Sequence, residues 1–136
     1  MRARFHHGTV VWNPVEPLRA ALAHAGVPDK VGAYVLRAAR DQAVEIVYVG
    51  RSGTLRNDGT FRNQKLFGRL QAKQEGMSRQ AFFRKKLDEG GFTGLRIEWF
   101  ETWDDNHRHA PALAEAELLQ AYLDEHRHLP PWNAEF

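Results

Sequence analysis

The chain has 136 residues, 43% hydrophobic and 26% charged, the size and composition of one globular domain, which excludes a disordered tail and a fibrous repeat. No apolar run reaches the ~18–20 residues of a membrane span, and Met1-Arg2-Ala3-Arg4-Phe5-His6-His7 leads into no signal-type apolar stretch, so a soluble, intracellular (cytoplasmic) protein without membrane contact is expected. With no cysteine, a disulfide framework, a thiolate zinc site and a cysteine nucleophile are excluded.

The net charge of +2 hides an asymmetry. Residues 51–90 carry 10 Lys/Arg against 4 Asp/Glu, and residues 91–136 carry 3 against 9. A basic middle running from Arg51, Arg56, Arg62, Lys65 and Arg69 to Lys86 is the footprint expected for a phosphate polymer. The plainer alternative is a solvated face whose charges pair with the acidic C-terminal third.

In chain order, residues 17–25 predict a short helix, with Pro17 in its first turn and Gly26 and Pro28 stopping it. Val31–Ala38 and Val44–Gly50 are rich in β-branched and aromatic residues and predict two antiparallel strands joined by a loop over residues 39–42. Residues 51–64, with Gly53, Asn57, Asp58 and Gly59, predict an exposed, turn-rich loop. Leu66, Arg69, Leu70 and Lys73 share one helical face. Ser78 caps a further helix through about Leu87, ended by Gly90-Gly91. Leu95–Phe100 predicts a third strand, and a last helix runs from Pro111 until Pro130-Pro131 stops the chain's helical course. The order α-β-β-α-α-β-α defines an α+β domain with one small three-stranded antiparallel sheet flanked by helices.

The last helix carries an anomaly. At about 100° per residue with Leu119 as origin, Leu118 falls at roughly −100°, Tyr122 at roughly −60° and Leu123 at roughly +40°. On the same scale Glu115 falls at roughly −40°, inside this apolar stripe, whereas Glu117 falls at roughly 160°, on the far side. A carboxylate aimed at a core edge needs a metal ion or an arginine to neutralise it, unless the first turn's dipole and nearby solvent suffice.

Taken together, Gly32-Ala33-Tyr34, Tyr48-Val49-Gly50-Arg51-Ser52, Arg69 on a helix, Glu115 just before Leu118-Leu119, and Pro131-Trp132-Asn133 resemble the GIY-YIG nuclease family in order and spacing. The resemblance spans residues 31–133 and implies a catalytic core there, within a single domain of residues 1–136 whose residues 1–30 form an N-terminal extension with a short helix. It implies an endonuclease that hydrolyses phosphodiester bonds in DNA, double- or single-stranded, with one Mg²⁺ or Mn²⁺ ion. Carried over by position, Tyr34 and Tyr48 are the paired site tyrosines, Arg69 the helix arginine, Glu115 the metal ligand and Asn133 the terminal asparagine. Lys73 stands where some members have a histidine or tyrosine; Ala33 and Val49 replace isoleucines; and the loop between Ser52 and Leu66 is longer than in the smallest members. Arg51, Ser52, Arg56, Arg62 and Lys65 are thereby assigned to the substrate backbone, and a homodimer on the substrate is one route to specificity.

The chemistry matches these residue types. Phosphodiester hydrolysis needs a hydroxide-like nucleophile, charge neutralisation on the phosphoryl oxygens and help for the leaving oxyanion. A hard cation that keeps most of its water suits a lone carboxylate such as Glu115, Arg69 can bind phosphate bidentately, and a tyrosine accepts a proton only if cations lower its pKa. Tyr34 is expected as the base or its relay, Tyr48 as a positioning hydroxyl, and Lys73 as a phosphate or water ligand. The alternatives are a non-catalytic nucleic-acid-binding module of the same fold and an interaction domain docking an acidic protein. The pairs His107/His109 and His126/His128 read as surface histidines rather than metal ligands.

Overall fold

The computed structural model describes residues 1–63 and 65–136. Six strands and four helices follow in the order β1 (His6–Trp12), α1 (Leu18–His24), β2 (Gly32–Arg40), β3 (Ala43–Ser52), β4 (Thr54–Leu55), β5 (Phe61–Arg62), α2 (Leu66–Arg69), α3 (Arg79–Gly90), β6 (Gly94–Glu101) and α4 (Pro111–His126). The domain is α+β, as expected, but its main sheet has four strands rather than three, all antiparallel, in the order β1-β6-β2-β3.

The fourth strand comes from the segment expected to hold only a short helix. β1 pairs with β6 along its whole length, from His6 opposite Glu101 to Trp12 opposite Leu95, and Val10 and Trp12 are buried in the main core. Within residues 1–30, β1 thus belongs to the sheet, and Leu18, Leu22 and Val27 join Val10 and Trp12 in the main core. α1 falls where expected, and its first N–H groups are met from afar: Gln80 Oε1 of α3 accepts from Leu18 N at 2.7 Å.

β2 lies between β3 and β6, so its residues are buried on both faces and the Gly-Ala-Tyr-Val-Leu run is almost unbroken by polar residues. Period-two alternation divides them. Tyr34, Leu36 and Ala38 enter a core with Trp12, Leu22, Phe82, Phe83, Leu87, Ile97 and Trp99 under α1, α2 and α3. Val35 joins Val49, Phe100, Phe5 and Leu119 of α4 on the opposite face. The β2–β3 turn is tighter than the expected four-residue loop: only Asp41 and Gln42 intervene, with Asp41 at φ 54°.

One irregularity bears on the site. Leu36 pairs with Tyr48 but Arg37 pairs with Ile46, so Val47 is an extra residue in β3, a bulge that lets both Val47 and Tyr48 contact the main core. The outer edge of β3 is covered by the C-terminal segment: Trp132 N donates to Val47 O at 2.8 Å, and the Asn133 side chain accepts from Val49 N at 2.9 Å and donates to Val49 O at 3.0 Å. An otherwise open strand edge is thereby closed.

Two local expectations are corrected. The helix carrying Arg69 is a single turn, because Glu75 (φ 51°) and Gly76 (φ 78°) fold the chain back into a turn bridged at Gln74 and Met77. Lys73 is therefore not on a helix with Arg69. The basic loop is partly ordered as the small hairpin β4–β5. α3 begins as read, with Ser78 Oγ accepting from Ala81 N, and ends at the left-handed Gly91. Among the described residues no helix is long and apolar enough to cross a membrane.

Candidate active site

A cleft of about 230 Å³ opens at the C-terminal end of β3 and is lined by Tyr48, Arg51, Gly53, Thr54, Asn63, Arg69 and Glu115. β3 contributes Tyr48 and Arg51, the β4–β5 hairpin borders it through Thr54 and Asn63, α2 supplies Arg69 and α4 supplies Glu115. Asn63 Nδ2 donates to Thr54 Oγ1 at 3.1 Å, tying the base of the hairpin together.

Glu115 sits on the sheet-facing side of α4, with its side chain 20% exposed against 39% for Glu117. Arg51 Nη1 donates to Glu115 Oε1 at 2.8 Å, so the arginine partner required by the face geometry is present in the neighbouring strand. Arg69 has no carboxylate partner among the described residues and faces the cleft with its charge unspent. Burial and the adjacent Tyr34 push the Tyr48 hydroxyl above the ordinary tyrosine range, against the pull of Arg79 and Arg69.

The two motif tyrosines occupy different positions. Tyr48 lines the cleft; Tyr34 is fully buried behind it, its ring centroid 6.2 Å from that of Tyr48. The Tyr34 hydroxyl lies directly over Gly50, where an added Cβ would come within 2.5 Å of Tyr34 Cζ and Oη. Gly32 is more tightly constrained, since a Cβ there would fall 1.7 Å from the carbonyl oxygen of Phe100 in β6. Each motif glycine is thus dictated by close approach.

The remaining expected site residues are dispersed. Ser52 is buried and its hydroxyl accepts from Gly32 N at 3.1 Å, so it fixes the ends of β2 and β3 instead of meeting a substrate. Lys73 is exposed outside the cleft. Asn133 holds the β3 backbone and borders a second cleft of about 430 Å³ that shares Tyr48 with the first. Arg56, Arg62 and Lys65 are exposed on and beside the hairpin. Of the ten basic residues between 51 and 90, only Arg51 forms an ion pair with a carboxylate among the described residues. The basic middle is therefore not neutralised by the acidic C-terminal third. His107 contacts Asp104 and His126 stacks on Tyr122 at 4.1 Å, local surface contacts.

One residue escaped the sequence reading. Arg79 is 1% exposed and donates through Nη2 to Tyr34 Oη at 3.2 Å. The signal was available: Arg79, Phe82, Phe83 and Leu87 follow helical spacing, so Arg79 lies on the apolar stripe of α3 just as Glu115 lies on that of α4.

Among the described residues no three His, Cys, Asp or Glu side chains gather into a metal cage. What the cleft offers is one carboxylate, whose Oε2 meets no hydrogen-bond partner among the described residues, with Thr54 and Asn63 also in its lining. This all-oxygen set with a single charge suits a hard, water-retaining cation and is poor for zinc. No protein-family model, no curated protein and no solved structure matches the chain.

Proposed function

We propose that the protein is a divalent-metal-dependent endonuclease of GIY-YIG type acting on DNA. The observation that supports this most is the convergence of Tyr48, Arg69 and Glu115, from three separate elements, on one polar cleft bordered by an exposed, unpaired basic hairpin. Arg69 binds the scissile phosphate and gains strength as charge builds on its oxygens. Tyr48 takes the role of proton acceptor, because of the two tyrosines it alone reaches the cleft; burial keeps most of it protonated, so it acts through the ionised fraction that Arg79 and Arg69 favour, and cleavage rises with pH. The Tyr48 phenolate oxygen receives a proton from water as the water oxygen bonds to phosphorus; the bond from phosphorus to the departing oxygen breaks, and that oxygen is protonated by solvent. Glu115 would hold Mg²⁺ or Mn²⁺, which when bound would supply Lewis-acid neutralisation of developing negative charge. Tyr34 supports Tyr48 from behind, and Arg51, Arg56, Arg62 and Lys65 hold the flanking backbone.

A non-cutting module that binds DNA through the same cleft is the second reading, favoured by the engagement of Glu115 with Arg51. Cleavage of supercoiled plasmid and end-labelled single- and double-stranded oligonucleotides separates the two, with Mg²⁺, Mn²⁺ or EDTA and with Glu115→Ala and Glu117→Ala. Metal-dependent cutting lost in Glu115→Ala and kept in Glu117→Ala is the expected result. Salt-sensitive binding without cutting under either metal would replace the nuclease with the binding module.

A further inference from the structure

Arg79 is a buried cation without a counter-ion. Its Nε and Nη1 atoms are buried and meet no acceptor, its Nη2 meets only the neutral Tyr34 hydroxyl, and no carboxylate pairs with it among the described residues. Its other neighbours are aromatic: the guanidinium carbon lies 5.7 Å from the Tyr48 ring centre and 5.4 Å from that of Phe83. Arg79 is also the first residue of the twelve-residue helix α3, whose first turn contains no acid, so the positive end of the helix dipole adds to its charge. An arginine cannot shed its proton to relieve this, and an apolar side chain of similar size would pack the same space without the desolvation cost. Packing therefore does not explain why a cation stands there.

The geometry has a direction. From α3 toward the cleft come Arg79, then Tyr34 and Tyr48, and Tyr48 borders the cleft with Arg69 and Glu115. Because Tyr34 Oη accepts from Arg79, its own proton must point elsewhere, and no protein acceptor takes it among the described residues. We propose that Arg79 is a positioning residue of the site: it fixes the direction of the Tyr34 hydroxyl and places a permanent positive charge behind the tyrosine pair, where it favours negative charge on the tyrosine oxygens. The inference rests on the nuclease reading for its catalytic meaning, but not for the electrostatic pairing of Arg79 with Tyr34. Glu75, Lys86 and Glu135 line the second cleft beside Tyr48, and the other charged groups acting on the Tyr48 hydroxyl are Arg69 from α2 and Glu115 from α4. All are retained in every variant below, so a change reports Arg79. Its pull on Tyr48, opposing that of burial, has the sign this role requires.

The test uses the full chain with tyrosine labelled at Cζ, followed by NMR across pH, in wild type, Arg79→Gln and Arg79→Lys. The chain has only three tyrosines, Tyr34, Tyr48 and Tyr122, so Tyr34→Phe and Tyr48→Phe assign the resonances. The expected result is a displaced Tyr34 resonance in Arg79→Gln, where the hydrogen bond to its hydroxyl is altered, and a smaller displacement in Arg79→Lys, which keeps the charge but not the fork. In cleavage assays Arg79→Gln lowers kcat by about 10²-fold near neutral pH, leaves KM unchanged and recovers as pH rises. An unmoved Tyr34 resonance in either folded variant overturns the proposal, as does a KM effect with kcat intact, which would make Arg79 a substrate ligand. If wild type cuts nothing, the nuclease reading falls while the NMR comparison still decides the pairing.

Discussion

Arg51 Nη1 donates to Glu115 Oε1 at 2.8 Å across the floor of the cleft, joining β3 to α4. The proposed function asks both residues for something else: Arg51 for a DNA phosphate and Glu115 for a metal ion. On that proposal, a phosphate that draws Arg51 away would leave the carboxylate free, and DNA and metal binding would be coupled through this one partly exposed ion pair. Arg51→Ala is expected to tighten Mn²⁺ binding in the absence of DNA by about 1.5- to fivefold, the range for breaking such a pair, while weakening DNA binding. Calorimetric titration with Mn²⁺ measures it; unchanged or weaker Mn²⁺ affinity would uncouple the two events.

Asn133 does its work on the backbone. Its amide both accepts from Val49 N and donates to Val49 O, completing the outer edge of β3 one residue from Tyr48. Asn133→Ala leaves both backbone groups without that partner and is expected to cost about 1–3 kcal/mol, lowering Tm by several degrees. Asn133→Asp keeps the acceptor, loses the donor and should fall between. Thermal unfolding of the three proteins orders them, and a wild-type Tm for Asn133→Ala would remove the structural role.

The two motif glycines differ in what an added methyl group meets. At Gly32 it strikes the Phe100 carbonyl of the adjoining strand, which cannot yield without parting β2 from β6; at Gly50 it strikes the Tyr34 ring. Gly32→Ala is therefore expected to abolish folding. Gly50→Ala is expected to fold with about 1–3 kcal/mol less stability and to lose cleavage through displacement of the Tyr34 hydroxyl. Circular dichroism and plasmid cleavage on both variants check the contrast; an active Gly50→Ala enzyme would show that the position of Tyr34 does not matter.

Arg56, Arg62 and Lys65 are exposed on and beside the hairpin that borders the cleft, and none forms an ion pair among the described residues. If each neutralises one phosphate, replacing it by alanine reduces the slope of log affinity against log salt by roughly 0.9 on duplex DNA. Fluorescence anisotropy at several salt concentrations reads this directly. Slopes unchanged by all three substitutions would place the DNA elsewhere.

Local chemistry made much of this legible. Ser78 and Gly91 bracket α3 because capping is a nearest-neighbour property, and Glu115 was found on the correct face of α4 by helical geometry alone. β1 was missed although Thr9, Val10, Val11 and Trp12 are strand formers; His6, His7 and Gly8 weaken the signal, and the partner strand β6 lies almost ninety residues away. Helical periodicity at Leu66, Arg69, Leu70 and Lys73 was real but overruled by the turn at Glu75 and Gly76. Ser52 looked like a substrate ligand because its burial depends on Gly32 in another strand. What the sequence hid was thus long-range pairing, and what it disclosed was the identity of the groups that converge.

Glu98 provides a test of the fold that is independent of function. It sits on β6 with its side chain 5% exposed, bonded by Arg2 from the N-terminus and by Arg37 Nη1 of β2 at 2.9 Å. Burial alone would raise its pKa, but hydrogen bonds and charge from Arg2 and Arg37 outweigh it and hold the carboxyl below its ordinary value of 4.5. A carboxyl with a depressed native pKa contributes stability that is complete above the unfolded value and is lost as pH falls through the native one. Denaturant unfolding is therefore expected to weaken from about pH 5 downward. Glu98→Gln should be less stable at neutral pH, where Arg2 and Arg37 lose their charged partner, and should show a shallower loss in acid. If Glu98→Gln retains the wild-type slope through that window, other carboxylates govern the acid limb and the Arg2–Glu98–Arg37 cluster contributes little to holding the N-terminal segment on the sheet.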